Sequence, residues 1–204
     1  MMMILKQVAD IRAGYPFRGK LPKNPESNIF CIQVKDLTNN QKVNWSSIDR
    51  VNLTGKREPS FLQAGDILFN ARGNKNFAFH LNEAPPKNTV CAPYFFILRI
   101  KPSYCEAVLS TFLNWQLNQL PAQDYFAKES AGSVTKNIKR ASLENTLIHL
   151  PSPEQQKQIA DIQSSLQREK ETYQQLIENS QQLMDKIAQD LHNGKFPSIS
   201  NAIT

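Results

Sequence analysis

Three stretches of this 204-residue chain gather cations and amides with no carboxylate among them. Residues 130–140, SAGSVTKNIKR, offer Gly132, Ser133 and Thr135 as backbone and hydroxyl donors, followed by Lys136, Asn137, Lys139 and Arg140. Residues 14–20, GYPFRGK, use Gly14, Pro16 and Gly19 to shape a tight loop that presents Phe17, Arg18 and Lys20. In residues 70–79, NARGNKNFAF, a strand end is followed by Arg72, Asn74, Lys75 and Asn76, and Gly73 lets another backbone approach closely. The chemistry these groups share is binding rather than bond-breaking. Lysine, arginine and hydroxyls grip phosphate oxygens. Arginine also matches guanine O6 and N7, asparagine matches adenine N6 and N7, and an aromatic ring packs on a sugar or a thymine methyl. Each stretch alone is also the pattern of a solvated basic turn, and Phe17 would serve as well to plug one end of a domain.

The distribution of charge bears on that choice. Residues 1–153 hold 19 Lys and Arg against 11 Asp and Glu, eight positive charges net, whereas residues 154–192 hold 4 against 7, three negative net. Lys195 brings the whole chain to +6. The positive field therefore belongs to the N-terminal part, which suits one region facing a polyanion and another with different work. Catalytic motifs are missing: there is no GxGxxG, no GxxxxGK[ST] and no GxSxG. APYF at 92–95 falls short of the (Asn/Asp/Ser)-Pro-Pro-(Tyr/Phe) run of base methyltransferases and reads as the start of a strand. Asp66, in AGDILF, has no second carboxylate or lysine at nuclease spacing, and a Gly-Asp turn before a strand accounts for it. Cys31, Cys91 and Cys105 show no C-x-x-C spacing and His80, His149 and His192 are scattered, so reduced thiols are expected rather than a metal site. The expectation is a non-catalytic binder with no cofactor and no metal. No apolar run approaches the ~18 residues of a membrane span. The first residues, MMMILKQVADIRAG, lack the long apolar core of a signal peptide, so no membrane partner and a cytoplasmic location are expected.

The elements that must position these loops can be read coarsely. DILFNA (66–71) and PYFFILRI (93–100) are rich in aromatic and branched residues and bounded by Gly or Pro, which predicts strands. EAVLSTFLNWQLNQL (106–120) spaces Val108, Leu109, Phe112, Trp115 and Leu120 at helical steps, with Pro121 as its stop. The fold class expected is α+β: a mixed strand-and-helix domain over residues 1–151, a long helix over 152–193 and a tail over 194–204. The long helix announces its start, with Ser152 as N-cap, Pro153 in the first turn and Gln155 completing an S-x-x-Q capping box. Roughly forty residues at ~1.5 Å each make a rod of about 60 Å, wider than a domain of ~150 residues, so much of it would overhang. Its apolar residues repeat by seven. Ile159, Leu166, Tyr173, Ser180 and Ile187 fall at position a, and Ile162, Glu169, Leu176, Leu183 and Asp190 at d. That narrow seam predicts pairing with a partner helix through Ile159, Ile162, Leu166, Tyr173, Leu176, Leu183 and Ile187. The alternative is a helix lying along its own domain.

DIRAGYPFRGK (10–20), LQAGDILFNARGN (62–74) and SAGSVTKNIKRASLENTLIHLPSPEQQKQIA (130–160) together give the chain a family likeness. In their order and spacing it resembles the specificity subunit of type I restriction-modification systems. The resemblance implies one target recognition domain and one spacer helix, where a usual member carries two of each with the helices packed antiparallel. It implies double-stranded DNA as the ligand, read at one half of a bipartite site. It implies docking to a methyltransferase (modification) subunit, which uses S-adenosylmethionine, and service to a translocating restriction subunit, with no cofactor on this chain. One domain and one helix would rebuild the whole as a homodimer through an antiparallel coiled coil, or by pairing with a different specificity chain. The exposed face of the rod, with Gln155, Gln156 and Lys157 at its start, is where the methyltransferase would dock. Two other readings compete. One is a scaffold protein whose coiled coil recruits a partner while the basic domain binds nucleic acid non-specifically. The other is an RNA-binding module, disfavoured because no K/R-G-F/Y stacking platform is present.

Overall fold

The structure, a computed structural model, describes residues 1–195 except 39–41, 56, 74 and 131–136. In chain order the elements are β1 (Met2–Ile4), α1 (Leu5–Val8), β2 (Ala9–Ala13), β3 (Phe30–Ile32), β4 (Asp49–Arg50), β5 (Ile67–Asn70), β6 (Phe77–His80), β7 (Thr89–Cys91) and β8 (Phe95–Ile100). They continue with α2 (Ser110–Leu117), α3 (Leu120–Glu129), α4 (Arg140–Glu144), β9 (Leu147–His149) and α5 (Pro153–His192). The chain divides into two compact units, Met1–Asp161 and Ile162–Thr204, and the division falls inside α5.

The first unit is built around an antiparallel sheet in the order β2-β8-β5-β6. Successive side chains of a strand point to opposite faces, and both faces of β5 are closed. Ile67 and Phe69 join Leu98 of β8, Ile11 of β2 and the helical residues Phe112, Leu113, Leu117 and Phe126 in one core. Leu68 joins Phe95 and Ile97 of β8 and Phe79 of β6 in a second core, against Cys31, Ile32, Val90 and Cys91 of the smaller β4-β3-β7 sheet. The predicted strands at 66–71 and 93–100 are thus the paired centre of the fold, in a mixed strand-and-helix domain followed by a long helix.

Asp66 needs more than a turn to explain it. It is buried and accepts Arg99 Nε at Oδ1 and Arg99 Nη2 at Oδ2, both at 2.7 Å. Oδ2 also accepts the Gln63 N–H at 2.9 Å, so the carboxylate closes the approach to β5 and joins it to β8. At the far edge, Asn118 of the α2–α3 connection stands in for a neighbouring strand. Its Oδ1 accepts the Ala78 N–H (2.9 Å) and its Nδ2 donates to the Ala78 carbonyl (2.8 Å). Pro121 does not merely stop a helix. It sits in the first turn of α3, where a missing N–H costs nothing, and Leu120, expected on the buried stripe, is 76% exposed.

Cys31 and Cys91 are buried on adjacent parallel strands, and Cys105 is exposed. Burial, reinforced by Asp36 and Asp49, pushes the Cys31 thiol up to about 12, and burial raises Cys91 as well. Burial would also raise Asp49, but hydrogen bonds from Lys35, Lys23 and Gln33 outweigh it and hold the carboxyl at about 2. The imidazole of His80 is lowered by burial, against the opposing effects of Asn82 and Asp66. The neutral ring donates from Nδ1 to Asn82 Oδ1 (2.6 Å) and accepts the Ser110 hydroxyl at Nε2 (2.8 Å), joining β6 to the first residue of α2.

α5 starts as its sequence predicts. The Ser152 N–H donates to Gln155 Oε1 (3.2 Å) and the Gln155 N–H to Ser152 Oγ (3.3 Å). Gln156 departs from the exposed docking face expected of it, being wholly buried. It accepts the Leu109 N–H (3.0 Å) and donates to the carbonyls of Ala107 (2.8 Å) and Pro151 (2.9 Å), so its amide completes the first unit. Ile159 is likewise half-buried against the helical core of that unit, which leaves the unpartnered part of the seam to begin at Ile162.

In the second unit Ile162, Leu166, Tyr173, Leu176 and Leu183 are 47–61% exposed, while Ile187 is half-buried. Ile177, Met184 and Leu191 are exposed as well, each following a d position by one residue. The apolar face from Tyr173 onward is therefore three columns wide, broader than the two-column seam read from the sequence.

Candidate nucleic-acid interface

Strand pairing brings the cationic stretches to one end of the central sheet. Ala13, the last residue of β2, pairs with Phe96, and Asn70, the last residue of β5, pairs with both Phe95 and Phe77. The chain leaving β2, the chain leaving β5 and the chain entering β8 therefore meet at the same end. The Gly14 N–H donates to the Phe95 carbonyl and the Ala71 N–H to the Tyr94 carbonyl, both at 2.9 Å. The third stretch joins them: the Ile138 N–H donates to the Ala71 carbonyl at 2.9 Å, and Arg72 and Asn137 form an antiparallel bridge.

Gly14 makes the first loop possible. A Cβ there would lie 2.1 Å from the Ala92 carbonyl oxygen, so no other residue passes this point without moving backbone. Tyr15 follows, buried, with its hydroxyl accepting the Gly55 N–H (2.8 Å) and donating to the Gly55 carbonyl (3.1 Å). Phe17 packs edge-on against Tyr15, with ring centroids 4.9 Å apart, and leans on the second core. Its ring anchors the loop, leaving Arg18 and Lys20 exposed around Gly19, whose φ of +75° suits glycine.

The second loop leaves Arg72 and Lys75 exposed on either side of Gly73, at φ +112°. Asn76, expected to present its amide to a base, is 5% exposed, and its Nδ2 donates to the Asn70 carbonyl at 3.1 Å. It shapes the loop instead. Asn70, which sequence reasoning passed over, donates from Nδ2 to the Lys75 carbonyl at 2.9 Å. The signal available was the pair of asparagines bracketing ARGNK.

In the third stretch Asn137, Lys139 and Arg140 are exposed. Arg140 Nε pairs with Glu144 Oε1 at 2.6 Å, one turn along α4, so a carboxylate beyond the stretch partly compensates it. An exposed i,i+4 pair of this kind is worth well under ~1 kcal/mol and yields readily to a phosphate. Asn74, Ser133, Thr135 and Lys136 lie outside the described residues. Among the described residues none of Arg18, Lys20, Arg72, Lys75 and Lys139 takes part in an ion pair, whereas Lys23 and Lys35 are paired with Asp49 and Arg99 with Asp66. No group of three or more His, Cys, Asp or Glu side chains is placed to hold a metal ion, again among the described residues. No helix among them is long and apolar enough to cross a membrane. What the sheet end offers is a set of uncompensated cations and amides on short, internally braced loops.

Comparisons with known proteins point to the same kind of molecule. The family described as "Type I restriction modification DNA specificity domain" matches residues 1–179. Among solved structures, the S subunit of a type I restriction-modification system from M. genitalium superposes with a TM-score of 0.58 at 17% identity, over 94% of this chain and 45% of its own. The HsdS subunit from Thermoanaerobacter tengcongensis gives 0.59 at 18% identity, over 86% of this chain and 39% of its own. A structure describing complex assembly and conformational transition of the type I R-M system gives 0.62 at 15% identity, over 92% and 43%. The chain thus spans less than half the length of each, and at these identities the likeness is one of fold. No curated protein matches the sequence. With the family's pattern running through the globular unit and on into the long helix, this chain belongs to the DNA specificity domains of type I restriction-modification systems.

Proposed function

We propose that this chain is the DNA-reading component of a type I restriction-modification complex, recognising one half of a bipartite duplex site. The observation that carries this is the convergence of residues 14–20, 71–73 with Lys75, and 137–140 on one end of the central sheet, within a region carrying eight net positive charges. Arg18, Lys20, Arg72, Lys75, Asn137, Lys139 and Arg140 are the contact residues, joined by Ser133, Thr135, Lys136 and Asn74 from the same stretches. Phe17 and Asn76 support the loops. Lysines hold phosphate and fix register, while Arg72 and Asn137, side by side, are suited to base edges.

The reading extends to assembly. Two copies pair antiparallel through Ile162, Leu166, Tyr173, Leu176, Leu183 and Ile187 of α5, giving a two-fold pair of readers, with a different specificity chain as the other possible partner. The broad apolar face from Tyr173 to Leu191 supports this, since a helix leaves such a face in water only at a cost in free energy. A methyltransferase subunit and, in a complete system, a restriction translocase subunit then act at the site this chain selects. No catalytic step and no cofactor falls to the chain itself. Identical domains about a two-fold read identical half-sites, so the target is palindromic and interrupted.

Duplex binding across a salt series tests the reading. Neutralising roughly 6 to 10 phosphates per pair of domains makes affinity fall on the order of 10³ to 10⁵ between 50 and 200 mM salt. Mapping methylated sites in the source genome then reads the symmetry directly. Salt-insensitive binding, or equal affinity for single-stranded RNA, sinks the proposal and favours the scaffold or RNA-binding alternative.

A further inference from the structure

We infer that Asn70 and Asn76 form a clasp that fixes the loop between them in the conformation from which Arg72 reads base edges and Lys75 holds phosphate, making the two asparagines positioning residues for specificity. This rests on reading the cationic sheet end as the DNA surface. The two asparagines sit at the ends of the loop, 4% and 5% exposed. The Asn70 amide donates forward to the Lys75 carbonyl and the Asn76 amide donates back to the Asn70 carbonyl, at 2.9 and 3.1 Å. Side chains therefore tie the loop ends across its base, just where the β5–β6 ladder gives out at Asn70 and Phe77.

The Asn70 oxygen makes stability alone a poor explanation. Turning the amide so that its NH2 meets Lys75 leaves Oδ1 buried with no partner among the described residues, and a stranded acceptor costs free energy. An apolar residue would occupy the same buried place without that cost, but would give up the bond to the Lys75 carbonyl that ties the loop. Local rules are broken in this way where function constrains the backbone, and here the backbone in question carries two exposed cations. The tie reaches further, because Ala71 receives the Ile138 N–H and Arg72 bridges Asn137. Loosening the clasp shifts Arg72 relative to Asn137, so two of the three cationic loops lose register together. Phosphate attraction tolerates such a shift; hydrogen bonds to base edges do not.

The test enriches a random-sequence duplex pool on the full chain, then titrates the enriched duplexes and the starting pool at one salt concentration. The ratio of the two affinities is the readout. Asn76→Ala and Asn70→Ala are each expected to lower that ratio by about tenfold or more while affinity for the random pool stays within about twofold. Beyond its chain neighbours a Cβ at Gly73 meets no atom of the described residues within 4 Å and lies outside both cores, yet its φ of +112° strains any other residue. Gly73→Ala should lower the ratio in the same way, and it decides the matter if the asparagine variants fail to fold. Asn118→Ala removes similar amide-to-backbone bonds from β6 outside the loop, and should leave the ratio as in the wild type. Wild-type ratios in the clasp and Gly73 variants, or an equal loss in Asn118→Ala, overturn the inference. A wild-type chain that enriches nothing overturns the DNA reading itself, and the clasp with it, which the wild-type titration alone reveals.

Discussion

Within Met1–Asp161 the apolar side chains of the central sheet are enclosed on both faces and the buried carboxylate of Asp66 has its arginine, whereas from Ile162 onward the helix leaves its larger apolar residues other than Ile187 about half exposed or more. The first unit is closed by its own chain, and its stability should not depend on protein concentration. The second unit leaves an apolar face of the kind a partner helix covers, so under the proposed pairing its order should depend on concentration.

Four experiments test this contrast. Arg99→Ala strands Asp66 in the first unit and is expected to cost about 3–5 kcal/mol, read by denaturant unfolding at any protein concentration. Leu176→Lys combined with Leu183→Lys removes the centre of the exposed stripe. It should weaken self-association by about a hundredfold or more in sedimentation equilibrium, with the unfolding midpoint of the first unit unchanged; a lowered midpoint would show that the helix face stabilises its own domain. Lys75→Ala touches only the sheet end, and should weaken duplex binding uniformly across sequences while reducing the salt slope by about 1. The smallest effect is one of pH. The Asp49 carboxyl, held at about 2 in the folded chain against its ordinary value near 4, contributes stability that is fully present above about pH 4. That contribution is lost as the pH falls through about 2. Asp49→Asn should therefore flatten the acid limb of a stability–pH curve in that window.

Much of this was legible in the residue order. The capping box of Ser152 and Gln155 and the strands around 67–70 and 95–100 depend on local patterning, and local patterning survives in the fold. Two of the misreadings come from a side chain whose partner is distant in sequence, and two from local geometry that residue type does not display. Ile159 keeps the heptad phase but meets the helical core of its own unit, and Gln156 looks like a solvated helix residue until Leu109 and Ala107 lie beside it. Asn76 has the right type for a base contact, yet its donor goes to Asn70. Leu120 keeps helical spacing across a break, because Pro121 opens a second helix rather than closing the first. The candidate site was visible as three lists of residues. Their meeting was not, because it follows from the β2-β8-β5-β6 order, which no stretch of sequence displays.

The amide of Asn118 on Ala78 has a consequence for how copies of this chain can come together. An open sheet margin invites an extra strand from any neighbour, and β6 is such a margin in the central sheet. With the Ala78 N–H and carbonyl already occupied by a side chain, that route to aggregation is obstructed from within. Strand addition at this margin therefore does not compete with the proposed pairing through the helix.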